Sequence, residues 1–143
     1  MSSPFTAIGR NGVKITEDAP NSRAYVESGP VTVETDMGEA TLAAVDNGKL
    51  ITNEDEDGDA ADRAKTLFSA AAIGSCVRFY DRTGDGLRIV APAGQTITVN
   101  GMTTKAGGYV QSTNSGQFLT LWKINATEWV AEFTADNWEV ETE

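Results

Sequence analysis

LRIVA (residues 87–91), TITVN (96–100), FLTLWKI (118–124) and TEWVAEF (127–133) are the four runs that decide the fold class of this chain. In each run apolar side chains fall two residues apart, as a strand requires if one face is buried and the other meets water. Glycine-containing turns separate the runs. The pattern predicts an all-β protein, a compact antiparallel β-sandwich or β-barrel-like domain with an extended N-terminal arm.

The arm is predicted over residues 1–40, and the β-domain, which ends in an acidic C-terminal tail, over residues 41–143. Three of the four prolines and only short apolar runs occur in the first segment, which favours one or two short strands there. Its spaced apolar residues could lie on a neighbouring subunit or pair with the sheet edge of another protein. A terminus that is flexible or packed on itself is the alternative. The candidate partner-binding residues are Phe5, Ile8, Val13 and Ile15.

Two Asn-Gly steps lie between apolar runs and predict hairpin turns, because both residues of such a turn take positive φ. They are Asn47-Gly48 and Asn100-Gly101. The stretch 59–74 carries signals for both a helix and a strand: Asp59 could cap a helix, whereas Thr66-Leu67-Phe68 suits a strand. We favour a strand at about residues 64–68, followed by a turn over 69–74.

Composition narrows the possible partners. The net charge of −10, from 21 acidic and 11 basic residues, repels phosphate backbones and anionic lipid surfaces, so neither nucleic acid nor a membrane is an expected partner. Leu, Ile, Val and Phe make up only about one residue in five, near the limit for a chain that folds alone. We therefore expect a homo-oligomer to supply some of the burial. The opening residues lack the apolar run of a signal peptide, which favours a soluble protein made in a cytoplasm.

Reactive side chains are scarce. The chain has no histidine, which excludes Ser-His-Asp and Cys-His catalysis and every His-ligated metal site. The single cysteine, Cys76, stands in an apolar run and is expected to be buried and inert. Paired carboxylates are the remaining enzymatic possibility, with Glu128 and Glu139 as candidates, but both also fit solvated strand positions. We predict no catalytic residues, no cofactor and no enzymatic activity.

The acidic run 53–59 partly matches a calcium-binding loop. Asn53, Asp55, Asp57 and Gly58 correspond to positions 1, 3, 5 and 6 of an EF-hand loop, but Ala64 stands where the closing glutamate should be. A solvated hairpin loop is the favoured interpretation. Asn53, Asp55 and Asp57 stay as the candidate calcium ligands, and no other metal site is predicted.

The run 118–124 is apolar on both faces, with Phe118, Trp122 and Ile124 on one face and two leucines on the other. Such a strand is either central in a sandwich or has one face against another subunit. We predict an oligomer interface formed by Phe118, Trp122, Ile124 and Trp129.

The succession TLAAVDNGKLITN (41–53), LFSAAAIGSCVRFY (67–80), GLRIVAPAGQTITVNG (86–101), GQFLTLWKI (116–124) and TEWVAEF (127–133) resembles a small all-β domain of tailed-bacteriophage virion proteins. That domain occurs in capsid decoration proteins and in tail or fibre components, commonly as trimers. Two features depart from it: the turn over 68–74 lacks the expected Leu-Pro, and the acidic insert 53–59 is longer. Residues 1–40 lie outside the resemblance.

The resemblance implies a virion structural protein, namely a homotrimeric decoration protein that binds the major capsid protein on the outer surface of the head. Residues 1–12 would grip the capsid. A tail or fibre component that contacts other virion proteins or host glycans is the alternative. A carboxylate-dependent glycan hydrolase is the third hypothesis.

Overall fold

The computed structural model describes residues 30–132 and 137–143 in full, together with the backbone of three strands within residues 5–28. The chain divides into two compact units, Met1–Thr32 and Val33–Glu143. In the first unit, β1 (Phe5–Ile8), β2 (Val13–Asp18) and β3 (Arg23–Ser28) form an antiparallel sheet in the order β1-β2-β3. The described part of this first unit thus contains three strands.

The second unit is built of short strands. They are β4 (Val33–Glu34), β5 (Ala40–Thr41), β6 (Leu50–Thr52), β7 (Lys65–Thr66), β8 (Cys76–Tyr80), β9 (Arg88–Val90), β10 (Thr96–Val99), β11 (Met102–Thr103), β12 (Tyr109–Gln111), β13 (Phe118–Asn125), β14 (Glu128–Glu132) and β15 (Glu139–Val140). A 3₁₀ turn spans Ala44–Asp46, and the described residues contain no α-helix. The all-β prediction is confirmed.

The strands form two mixed sheets, compatible with a β-sandwich. A seven-stranded sheet has the order β11-β10-β14-β13-β8-β6-β4, and a five-stranded sheet the order β15-β12-β9-β7-β5. From β4 to β9 successive strands alternate between the sheets, so that each strand pairs in parallel with the strand two places earlier. These sheets agree with the predicted β-sandwich, but they contain parallel pairs and are not antiparallel throughout. After each short strand the chain crosses to the other sheet, and the next strand but one enters the first sheet again in the same direction. The alternation of apolar and polar residues within a strand does not reveal this connectivity.

The two Asn-Gly steps have different outcomes. Asn100 (φ 50°) and Gly101 (φ 81°) join β10 to β11 in the predicted hairpin, with Val99 opposite Met102. At the other step, Asn47 has φ −58° and ψ 127°, and only Gly48 takes positive φ, 82°. These angles define a type II turn, which splays its flanking segments. The predicted first hairpin is wrong, because the chain leaves β5 in one sheet and enters β6 in the other.

The strand prediction for residues 64–68 is confirmed by β7, Lys65–Thr66, which is shorter than expected. The helical signal at Asp59 is realised as a single turn, in which the Asp62 amide donates to the Asp59 carbonyl at 3.1 Å. Leu67 and Phe68 follow β7 and are buried in the core. A full helix would have turned part of this apolar segment toward water.

The hydrophobic core belongs to the second unit. Trp129 and Phe79 are its largest fully buried apolar side chains, and the Trp129 ring meets the Phe68 ring edge-on at 5.7 Å between centroids. Each fully buried apolar side chain of this size contributes about 1.5–3 kcal/mol. The core residues are Leu42, Ile51, Leu67, Phe68, Val77, Phe79, Leu87, Ile89, Ala91, Ile97, Val99, Val110, Leu119, Leu121, Trp129 and Trp138.

Candidate interaction surface

The central strand β13 carries an apolar stripe on the outer face of the seven-stranded sheet. Leu119 and Leu121 are buried in the core, whereas the alternate residues Phe118, Trp122 and Ile124 remain 55, 37 and 48 % exposed. Large apolar side chains that form a contiguous exposed patch commonly mark an interaction surface. Three of the four predicted interface residues therefore lie together on one accessible face.

Neighbouring side chains fix the orientation of the stripe. The Tyr80 ring on β8 stacks on the Phe118 ring, with 4.3 Å between centroids and 23° between planes. The Trp122 indole Nε1 donates a hydrogen bond to Glu132 Oε2 at 2.6 Å. Both aromatic groups are thus held in place before any partner arrives, which reduces the entropy lost on association.

Trp129, the fourth predicted interface residue, lies in the core. Its exposure is 0 %, and its indole Nε1 donates to Gln95 Oε1 at 3.2 Å. Alternation along β14 directs Trp129 inward and leaves Val130 and Glu132 on the outer face. Trp129 is therefore removed from the predicted interface.

The register of the N-terminal sheet separates the predicted partner-binding residues. Because Ala7 pairs with Ile15 and Phe5 with Glu17, residues Phe5, Val13 and Ile15 occupy one face. Ile8 pairs with Lys14 and occupies the other face.

Asn53, the first candidate calcium ligand, is fully buried and already saturated with hydrogen bonds. Its Nδ2 donates to Asp81 Oδ1 at 2.9 Å and to the Gly86 carbonyl at 3.2 Å. Its Oδ1 accepts from the backbone amides of Arg82 and Thr83, at 2.8 and 3.3 Å. This side-chain oxygen is committed to fixing the 81–86 turn, and Asn53 is not a metal ligand in this structure.

The other two calcium candidates do not form a site with it. Asp55 Oδ2 accepts from Thr35 Oγ1 at 2.7 Å, and Asp57 is exposed. Among the residues that the structure describes, no group of three or more acidic or cysteine side chains is arranged to hold a metal ion. The acidic run is a structural crossing between β6 and β7.

A buried ionic cluster, formed by Glu56, Arg63 and Lys65, holds this crossing in place. Glu56 Oε1 accepts from Lys65 Nζ at 2.7 Å and from the backbone amides of Met37 and Gly38, at 3.0 and 2.7 Å. Arg63 Nη1 lies 3.3 Å from Glu56 Oε2. Burial lowers the pKa of Lys65, and the hydrogen bond to Glu56 opposes that effect.

The sequence reasoning missed this cluster, since charged residues are expected at the surface. One signal was available. Lys65 precedes the buried Leu67 by two positions, which is the spacing of residues on one face of a strand.

A second buried lysine, Lys123, shares the inner face of β13 with Leu119 and Leu121. Its Nζ donates to Gln95 Oε1 at 3.0 Å and to the Ser69 carbonyl at 3.2 Å, and lies 5.6 Å from the centre of the Trp129 ring. No acidic side chain pairs with Lys123 in the described part of the chain. Burial lowers the pKa of Lys123.

The remaining reactive groups are separated or enclosed. Glu128 accepts from Thr98 Oγ1 at 3.1 Å on the seven-stranded sheet, whereas Glu139 is exposed on the five-stranded sheet. They therefore do not share a sheet as an acid pair. Asp81 is fully buried and accepts from Ser112 Oγ at 2.6 Å. Cys76 is also buried, and burial raises the pKa of its thiol.

A cavity of about 220 Å³ lies beside the edge strand β5, with Glu39, Thr41 and Thr66 in its lining. It offers one carboxylate and two hydroxyl groups.

No helix within the described ranges is long and apolar enough to span a membrane.

The chain was compared with known proteins. No protein-family model matches it, and no curated protein matches it either.

Proposed function

We propose that this chain is a structural protein of a tailed-bacteriophage virion, a homotrimeric decoration protein that binds the major capsid protein on the outside of the head. The observation that carries the proposal is the exposed stripe of Phe118, Trp122 and Ile124 on the outer face of the seven-stranded sheet. The succession of strands and turns that resembles the virion domain supports the same assignment.

The distribution of polar groups agrees with a role in assembly. Asp81 and Glu56 make internal hydrogen bonds that position backbone turns, which leaves them unsuited to bind and transform a substrate. A decoration protein needs adhesive surfaces instead. In a trimer each copy requires only a modest contact with the capsid, because three linked contacts bind far more strongly than one.

The N-terminal sheet is the proposed capsid-binding element. The strand register places Phe5, Val13 and Ile15 on one of its faces, together with Glu17. Deletion of residues 1–12 removes β1 and should abolish binding to heads while the trimer persists. Heads that retain full occupancy of the truncated protein would refute the role of the arm.

Location in the particle tests the proposal itself. Phage particles from cells that carry this gene would be separated into heads and tails, and the protein quantified in each fraction by mass spectrometry. We expect it in the head fraction, in fixed ratio to the major capsid protein. Recovery with tails would support the tail or fibre alternative, and absence from particles would refute a virion role.

A further inference from the structure

The outer face of the seven-stranded sheet carries opposite charges on the two sides of the apolar stripe. The registers place Leu50, Arg78, Thr120 and Glu132 in one row across β6, β8, β13 and β14. Arg78 and Glu132 flank the central strand at the same height and lie about 10 Å apart, two strand spacings. In the described part of the chain no ion pair joins them. Both side chains are partly exposed, and Glu132 already accepts the hydrogen bond from Trp122 on the same face through Oε2.

Symmetry makes this row self-complementary. Rotation about an axis parallel to β13 keeps every residue at its height along the strand. When three such faces surround one axis, the β8 side of each sheet meets the β14 side of the next. Arg78 of one copy then faces Glu132 of its neighbour, because both residues stand opposite Thr120. An axis across the strands would instead place like charges opposite each other.

The apolar stripe completes the match. Phe118, Trp122 and Ile124 lie on the strand nearest such an axis, so three copies would bury nine large side chains together. Burial of exposed apolar area is the main driving force for stable association, and complementary charges at its border set the register. The exposed face is therefore complementary to copies of itself that are related by such an axis.

We propose that three copies pack the outer faces of their seven-stranded sheets around an axis parallel to β13, with Arg78 of each copy paired with Glu132 of the next. The inference rests on the trimer in the proposed function and adds its geometry. It assigns Arg78 and Glu132 to the interface, in addition to the apolar residues.

The test is a charge reversal and its compensation, measured by sedimentation equilibrium on the purified full chain. Like charges facing each other across an interface cost several kcal/mol, so Arg78→Glu should weaken association by more than about tenfold. The doubly reversed protein Arg78→Glu/Glu132→Arg restores opposite charges between copies and should recover most of the loss. Arg82→Glu, which changes the net charge by the same amount as Arg78→Glu but lies in the exposed turn after β8, serves as the control.

The results separate this inference from the proposed function. A trimer that Arg78→Glu leaves intact, or a double reversal that fails to restore association, overturns the geometry but leaves the virion role to the head fractionation. A strictly monomeric wild-type protein overturns the interface altogether. Unfolding curves of each variant in urea establish that a lost trimer does not reflect a lost fold.

Discussion

Replacement of Glu56 by alanine is expected to destabilise the protein more than any other change of a single acidic residue in the 53–59 run. Glu56 accepts hydrogen bonds from Lys65, Arg63 and the backbone amides of Met37 and Gly38. Without it, two cations stay buried with no counter-charge. Breaking a buried ion pair in this way costs about 3–5 kcal/mol. That is a large part of the roughly 5–15 kcal/mol by which a domain is stable.

The assay is unfolding in urea followed by the fluorescence of the buried Trp129 and Trp138. The free energy of unfolding of Glu56→Ala should fall by about 3–5 kcal/mol at pH 7. Glu54→Ala is the matched control, because Glu54 is exposed and belongs to the same run, and its effect should stay within about 0.5 kcal/mol. A loss below 1 kcal/mol for Glu56→Ala, on the order of a surface substitution, would show that the cluster does not hold the β6–β7 crossing.

Three further substitutions test separate parts of the structure. Lys123→Met should raise the free energy of unfolding at pH 7, since both acceptors of Lys123 keep another donor, and the gain should shrink toward pH 10.5. The sign follows because the pKa of Lys123 is lower in the folded than in the unfolded protein, so between these two pKa values the unfolded state binds more protons and the stability of the wild type rises with pH. A gain from Lys123→Met that does not change with pH, measured by unfolding in urea, would contradict this reasoning. Asn53→Ala should cost on the order of 3 kcal/mol by leaving buried partners unsatisfied, whereas exposed Asp57→Ala should cost under about 0.5, both by thermal unfolding. Gly108→Ala should cost about 1–3 kcal/mol in the same assay, because a Cβ there would lie 2.9 and 3.1 Å from two carbonyl oxygens; an unchanged melting temperature would argue against that contact.

The fold class could be predicted because period-two alternation reports directly on strands with one buried face. The same alternation identified Phe118, Trp122 and Ile124 as one face of β13, which the structure exposes. The pairing of strands could not be predicted in this way, since parallel and antiparallel neighbours have the same period. Asn47-Gly48 shows the limit: the dipeptide permits a hairpin turn, but the switch of sheets imposes a type II turn.

The polar residues were harder to place, for a reason that concerns tertiary partners. In sequence, the run that contains Asn53 and Glu56 has the composition of a solvated acidic loop. Local composition cannot show that these residues and Lys65 are buried, since their hydrogen-bond partners lie up to some thirty residues away. Once buried, each must satisfy its hydrogen bonds or lose several kcal/mol, and the crossings between the sheets supply the backbone groups that do so. The same crossings produce the parallel pairs β4–β6 and β5–β7. The buried charges and the mixed sheets therefore have one origin, the crossings of the chain between the two sheets. The acidic run is one of these crossings, and it leaves the outer face of β13 open for association.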